Sequence, residues 1–290
     1  MKSVQDMRTS VPLHEHTSLR LGGPSRYFVA LRDAARAVEL QRWAKEEGVA
    51  WACLGRGTNV LFRDSGYRGL ILQTTSLRGV SIEGTRVLAA AGEPLARIAR
   101  IACEAGLSGL EWACGIPGTV GGAVVMNAGT GEGVTAETLT HVTYADANRS
   151  IRTEAAEVGL EYRRSAFLEG EMRGIIVEAA FELVASTPER TLAAAERLLE
   201  ERSKQLPEGA SAGCTFRNPR EGPTAGELLD RAGCKGLRSG DAHVSSRHAN
   251  FIINDGSQNA ADVLELVETM KRRVKDAFGV DLVEEIVVFP

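Results

Sequence analysis

No apolar run in this chain reaches the roughly 18 residues that a membrane span requires. Residues 1–13 are polar and lack the apolar centre of a secretory signal. The expectation is a cytoplasmic protein with no membrane partner. Cysteine is scarce, and Cys53, Cys103, Cys114, Cys214 and Cys234 include no C-x-x-C pair. That spacing argues against zinc and dithiol motifs, so reduced thiols and no structural metal are expected. Aromatic residues make up only 5% of the chain, and few stand near basic ones. Acidic and basic side chains are interspersed at a net charge of -4, so no stripe suggests nucleic acid. Small molecules are the expected partners. Internal repeats and low-complexity linkers are absent as well. What these exclusions leave is a soluble globular chain of 290 residues, 43% apolar, with about two domains.

Two common phosphate-binding signatures are also missing. No G-x-G-x-x-G joins a strand to a helix, and no glycine loop ends in Lys-Ser/Thr. Glycine is nevertheless dense at two places between apolar segments. These are Gly55-Arg56-Gly57-Thr58-Asn59-Val60-Leu61 and Gly115-Ile116-Pro117-Gly118-Thr119-Val120-Gly121-Gly122-Ala123. Bare main chain there lets a phosphate-bearing ligand reach N–H groups where a side chain would collide, as two halves of one anionic clamp. A pair of purely structural turns would carry the same residues.

Residues 32–48 read as a helix with Asp33 at its N-cap, Val38, Leu40 and Trp43 apolar, and Gly48 at its stop. Strands are expected at 49–54, 69–73 and 86–91. A helix bracketed by Pro94 and Gly106 follows, with Leu95, Ile98, Ile101 and Ala102 as its core stripe. Residues 121–185 read mostly as strands, with apolar runs at 142–145 and 175–177. After Ser186-Thr187-Pro188 come helices at 189–205, 225–232 and 260–278 and strands at 250–254 and 281–289. The expected fold is α+β. A first domain spans residues 1–187, its core about 17–185, and a C-terminal α/β domain of common size spans 188–290.

Several further motifs follow the glycine segments in one order. They are Met126-Asn127-Ala128-Gly129, Tyr162-Arg163-Arg164-Ser165, Ser211-Ala212-Gly213-Cys214-Thr215-Phe216-Arg217-Asn218-Pro219, Ala225-Gly226-Glu227-Leu228-Leu229-Asp230 and His248-Ala249-Asn250-Phe251-Ile252. From about Thr17 to the C-terminus, this ordered set resembles the UDP-N-acetylenolpyruvoylglucosamine reductase family, flavoenzymes that complete UDP-N-acetylmuramic acid for peptidoglycan. The resemblance implies an FAD-binding domain of the vanillyl-alcohol-oxidase-like (PCMH) type followed by a smaller α/β substrate-binding domain. It also implies a monomer, NADPH as co-substrate, and noncovalent FAD whose pyrophosphate lies against residues 55–61 and 115–123, with Arg56 adding charge. The reaction implied is reduction of the enolpyruvyl ether of UDP-N-acetylglucosamine enolpyruvate to UDP-N-acetylmuramate.

Hydride addition to a carboxyl-conjugated alkene pushes charge onto the carboxylate, so such a site needs fixed positive charge and then an acid. By resemblance Arg163 stands at that carboxylate, where a guanidinium keeps its charge and offers a planar fork. Read alone, an arginine there is a surface ion pair. Tyr162 packs at the flavin or the substrate. Glu285 matches the family's C-terminal glutamate, which handles the enol proton. On a strand Glu284 and Glu285 face opposite sides. The family usually has a carboxylate two positions before the catalytic one, where this chain has Val283, so Glu284 is the alternative. Cys214 occupies a position where the family commonly carries serine. A thiol, with a reference pKa of about 8.5, is the stronger acid and can protonate carbon without a relay; the competing reading is a small buried hydrophobe. The polar neighbours Thr215, Arg217 and Asn218 favour the acid. Asn218, Lys204 and His248 fall at substrate-binding positions, the last two at the UDP part, although a lone histidine is equally a structural hydrogen-bonder.

Some members of the family close a tyrosine-bearing inserted loop over the substrate. This chain is too short between its motifs to hold that insertion, and residues 129–134 lack the tyrosine often found after Asn-Ala-Gly. It resembles the shorter subtype. Two rival readings are an FAD-dependent oxidase or dehydrogenase of the same fold acting on another small molecule, and a non-catalytic flavin-binding module. The motifs at 214–218 and Glu285 oppose the first. A pure binder would need none of Arg163, an acid at 214, or Glu285.

Overall fold

The computed structural model describes residues 6–290; residues 1–5, the start of the polar N-terminal stretch, lie outside the described residues. The chain opens with β1 (Arg8–Pro12) and β2 (Pro24–Ala30), then α1 (Ala34–Glu46). Next come β3 (Trp51–Leu54), β4 (Val60–Phe62), β5 (Tyr67–Gln73), β6 (Val80–Glu83) and β7 (Arg86–Ala90), then α2 (Leu95–Glu104) and the short α3 (Val120–Val125). Asp33 caps α1, its carboxylate accepting from the Arg36 N–H at 2.7 Å. The strands expected at 49–54, 69–73 and 86–91 are β3, β5 and β7, with their ends moved by one or two residues. A four-stranded sheet has the order β1-β2-β5-β3, and the chain divides into two compact units.

The first unit comprises Phe28–Arg56 and Gly69–Ser203. At its centre is an antiparallel sheet in the order Ser150–Glu154, Leu139–Ala145, Ile175–Glu182, β7, β6. Ile175–Glu182 is covered on both faces, which is why it reads as an almost continuous apolar run; Ile175, Ile176, Val177, Ala179, Ala180 and Phe181 are all buried. Helix α1 is tied to this sheet by Gln41, whose amide donates to the Ala145 carbonyl at 2.8 Å. In α2, Leu95, Ile98 and Ala102 are buried as expected and Ile101 is half-buried.

Two expectations change here. The stretch read as strands from residue 121 begins instead with α3, because the Thr119 hydroxyl accepts from the Gly122 N–H at 3.2 Å and starts a helix through glycines. The helix Pro188–Gln205 belongs, as far as Ser203, to the first unit, so the division falls after residue 203 and not at 187/188. Its buried face explains this. Thr191 donates to the Cys103 carbonyl at 2.7 Å, and Leu199 and Arg202 lie against Gly115.

The second unit comprises Arg8–Tyr27, Gly57–Arg68 and Lys204–Pro290. Arg238–Ser239, Ala242–Val244 and Ile252–Asn254 form an antiparallel sheet, packed with helices Ala225–Arg231 and Ala260–Phe278 around Leu61, Phe216, Leu229, Val244, Leu266 and Met270. The final strand, Val287–Phe289, pairs in parallel with β4, and Phe289 stacks on Phe62 with ring centroids 4.6 Å apart. Leu19 and Leu21 share this core with Leu282 and Ile286 near the C-terminus.

Candidate functional site

The two glycine segments meet within the first unit. A Cβ added to Gly55 would stand 2.7 Å from the Thr119 hydroxyl oxygen. Gly57, in the second unit, is needed for an internal reason: its φ is +66°, and a Cβ would lie 2.1 Å from the His16 carbonyl oxygen. Each contact is a structural reason for glycine at its position.

Their amides separate the two segments. At the start of α3 the Val120 N–H donates to the Glu93 carbonyl at 2.9 Å, Gly121 to the Ala91 carbonyl at 2.9 Å, and Gly122 to Thr119. That helix start is saturated. In the first segment, by contrast, none of the N–H groups of Gly55, Arg56, Gly57 and Thr58 donates to a protein acceptor among the described residues. Successive unpaired N–H groups in a turn form a concave anion-binding nest. Asn59 anchors its end by donating to the Glu285 carbonyl at 3.0 Å, and Val60 and Leu61 enter β4.

Arg163 lies in the first unit, in a tight turn where Glu161 and Arg164 exchange both main-chain hydrogen bonds. Its guanidinium donates to the carbonyls of Asn127 at 3.3 Å and Gly129 at 2.9 Å and stands 5.2 Å from the centre of the exposed Tyr162 ring. Arg164 takes the surface role instead, with Glu161, Glu169 and Glu171 around it.

Cys214 and Glu285 both lie in the second unit, on adjoining extended segments. Cys214 is bridged to Phe251, the next carbonyl, Thr215, accepts from the Glu285 N–H at 2.8 Å, and Phe216 sits opposite Glu284. The surroundings are less polar than expected: Cys214 is half-buried, and Thr215 and Phe216 are buried. Glu284 has a partner of its own. Lys271, from the helix Ala260–Phe278, reaches its carboxylate at 2.7 Å. Burial works against ionisation of Glu284, but the Lys271 bond and charge outweigh it and hold the carboxyl below its usual range.

The remaining expected residues are also anchored within the second unit. Asn218 supports the start of the helix that Thr224 caps, its side-chain oxygen accepting from the Ala225 N–H at 3.0 Å. His248 accepts from the Asn250 N–H at 3.3 Å through Nδ1, so its neutral form carries the proton on Nε2, and burial pushes its pKa down. The Lys204 carbonyl accepts from the Arg247 guanidinium at 3.0 Å. A cavity of about 820 Å³ in this unit, lined by Ser18, Asp64, Asn254 and Ser257 among others, contains none of the expected residues. Sequence reading assigned no role to Asn127, although it lies in the Met126-Asn127-Ala128-Gly129 motif, or to Lys271; what each does shows only in its contacts. Among the described residues no group of His, Cys, Asp and Glu could hold a metal ion, and no helix is long and apolar enough to cross a membrane.

A mixed helix-and-sheet domain with an amide nest, followed by an α/β unit, is matched by two family models: an FAD binding domain over residues 25–153 and the UDP-N-acetylenolpyruvoylglucosamine reductase C-terminal domain over residues 204–289. These place the chain in the class of two-domain FAD-binding proteins. Proteins named UDP-N-acetylenolpyruvoylglucosamine reductase from Chlamydia muridarum and Moorella thermoacetica are 39% and 41% identical, covering 99% and 97% of this chain and 95% and 92% of their own. The crystal structure of the reductase from Thermus caldophilus superposes with a TM-score of 0.84 at 35% identity, over 98% of this chain and 100% of that one. The chain belongs to the UDP-N-acetylenolpyruvoylglucosamine reductase family.

Proposed function

We propose that this protein reduces the enolpyruvyl ether of UDP-N-acetylglucosamine enolpyruvate to UDP-N-acetylmuramate with NADPH, as a cytoplasmic monomer in peptidoglycan synthesis. The observation that carries this reading beyond family membership is the hydrogen bond joining the segment of Cys214 to Glu285. FAD, when bound noncovalently, supplies the hydride relay from NADPH to the substrate. A diphosphate needs convergent N–H donors, and the unpaired amides of Gly55 to Thr58 fit that need; Leu61 and the Gly115 to Ala123 segment complete the binding surface. Arg163 holds the substrate carboxylate and stabilises the charge that builds on it, with Tyr162 packing alongside. Cys214 gives a proton to the carbon next to that carboxylate. Glu285 handles the enol proton, while Asn218, Lys204 and His248 hold the remainder of the UDP-sugar.

The test is direct. The purified protein is expected to be yellow, to release FAD on acid or heat treatment, and to oxidise NADPH when UDP-N-acetylglucosamine enolpyruvate is added. Arg163→Lys should slow flavin reoxidation by that substrate and spare flavin reduction by NADPH, because only the former builds carboxylate charge. Equal slowing of both would make Arg163 structural, and a colourless active protein would remove the flavin from the mechanism.

A further inference from the structure

Asn127 and Arg163 are non-glycine residues held at positive φ, +41° and +54°. Asparagine tolerates that region, but arginine in a two-residue hairpin is strained, and such strain persists only where the surroundings over-determine it. Here much of that determination comes from Asn127. Its side-chain N–H donates to the Glu161 carbonyl at 2.8 Å, at the head of the hairpin, and its side-chain oxygen accepts from the Ala136 N–H at 3.0 Å. Its own carbonyl and that of Gly129 receive the Arg163 guanidinium. Ser165 pins the hairpin's other side by donating to the Val125 carbonyl at 2.6 Å. Asn127 is only 4% exposed, so these bonds form away from competing water. A guanidinium has five N–H donors in one plane, and committing donors to two main-chain carbonyls fixes the plane in which the others are presented. Few side chains could replace this residue. Aspartate keeps the acceptor and the backbone tolerance but loses the donor, and glycine keeps only the tolerance.

We propose that Asn127 is the positioning residue that preorganises Arg163 for the substrate carboxylate. This rests on the reading of Arg163 given under Proposed function. The experiment uses the holoenzyme. In Asn127→Asp, flavin reoxidation by UDP-N-acetylglucosamine enolpyruvate should fall by about ten- to a hundredfold, as a misplacement on the ångström scale does, while reduction by NADPH stays near wild type. Calorimetry supplies a readout apart from turnover: the Kd for the enolpyruvate should rise, and the Kd for UDP-N-acetylglucosamine, which lacks the carboxylate, should not. The double variant Asn127→Asp/Arg163→Ala should be no slower than Arg163→Ala alone. Asn127→Gly should behave as Asn127→Asp does, and it carries the test if the aspartate variant does not fold. Wild-type reoxidation in both Asn127 variants, with Arg163→Ala slow, overturns the positioning role and leaves Arg163 in place. Wild-type reoxidation in Arg163→Ala overturns both. Equal weakening for the two ligands, or failure of both variants to fold, makes Asn127 structural and overturns the proposal.

Discussion

At position 214 a half-buried thiol stands one residue from the carbonyl that receives the Glu285 N–H, and the proton transfer proposed for it is a role that packing does not require. Cys214→Ser should stay active, because a hydroxyl at that position can give up a proton in the same place. Cys214→Ala should lose about a hundred- to ten-thousandfold in the half-reaction with substrate, the usual contribution of a positioned acid. Thiol alkylation should inactivate the wild type and leave the serine variant untouched; near-wild-type turnover of the alanine variant would reduce Cys214 to packing. The neighbouring choice between Glu284 and Glu285 shows how far single residues were legible. Alternation along a strand says that the two diverge but not which one is committed elsewhere. Lys271, on a helix, supplies that information through a 2.7 Å ion pair with Glu284. Glu284→Gln is therefore expected to lower stability by removing the nearer charge partner of Lys271, Glu268 at 3.9 Å being the other, with turnover largely kept, and Glu285→Gln to lower turnover. Thermal melts and steady-state rates on the two variants decide it, and the reverse pattern would move the catalytic role to Glu284.

Among elements, local signals succeeded where a cap or a long apolar period fixed the outcome. Asp33 caps α1, and the helix expected at 260–278 runs over those residues because Val263, Leu266, Val267, Met270 and Val274 recur on one buried face. Helix α3 gave no such signal, since two of its six residues are glycine and the decisive feature is the Thr119 cap. Parallel pairing of β4 with Val287–Phe289 is non-local, and no short pattern announces it. That pairing and the buried face of Pro188–Gln205 are why the division into units departs from a cut after residue 187. The two glycine segments were recognisable by composition, whereas the pairing of the Val120 to Ala123 amides and the unpaired amides of Gly55 to Thr58 depend on their partners. Thr119 links them, which gives a double-mutant test. Thr119→Ala should cost about 1 kcal/mol as a lost N-cap. Gly55→Ala should cost about 1–3 kcal/mol by overpacking against the Thr119 hydroxyl. Together they should cost less than the sum, because the first change removes the atom that the second collides with. Denaturant unfolding of all four proteins measures the coupling, and strict additivity would show that the segments do not meet at these residues.

Over the whole molecule the three histidines with shifted acidity all move the same way, in both units. Burial is the first cause at each: it depresses His141 in the first unit, helped by Arg152, His16 in the second, helped by Arg8, and His248, helped more weakly by Lys235. A folded-state pKa below that of the unfolded chain means that the unfolded chain binds the proton first. Their contribution is therefore fully present above the ordinary imidazole value near 6.5 and is lost as pH falls through and below it. Each such group adds a slope of at most about 1.4 kcal/mol per pH unit. Carboxylates act lower on the scale. At Glu93 burial opposes ionisation, but the Gly79 N–H, Arg97 and Arg78 outweigh it and depress the pKa, as Lys271 does at Glu284. These contributions are intact above about pH 4.5 and fail below it. The melting temperature should accordingly be level above pH 7, decline from about pH 6.5 towards 5, and drop more steeply below 4.5. His141→Gln should remove part of the first decline and none of the second, because a neutral side chain at that position takes up no proton in either state. A wild-type melting temperature unchanged between pH 7.5 and 5.5 would mean that the buried imidazoles are protonated as easily in the folded protein as in the unfolded chain, against the burial of His141 beside Arg152.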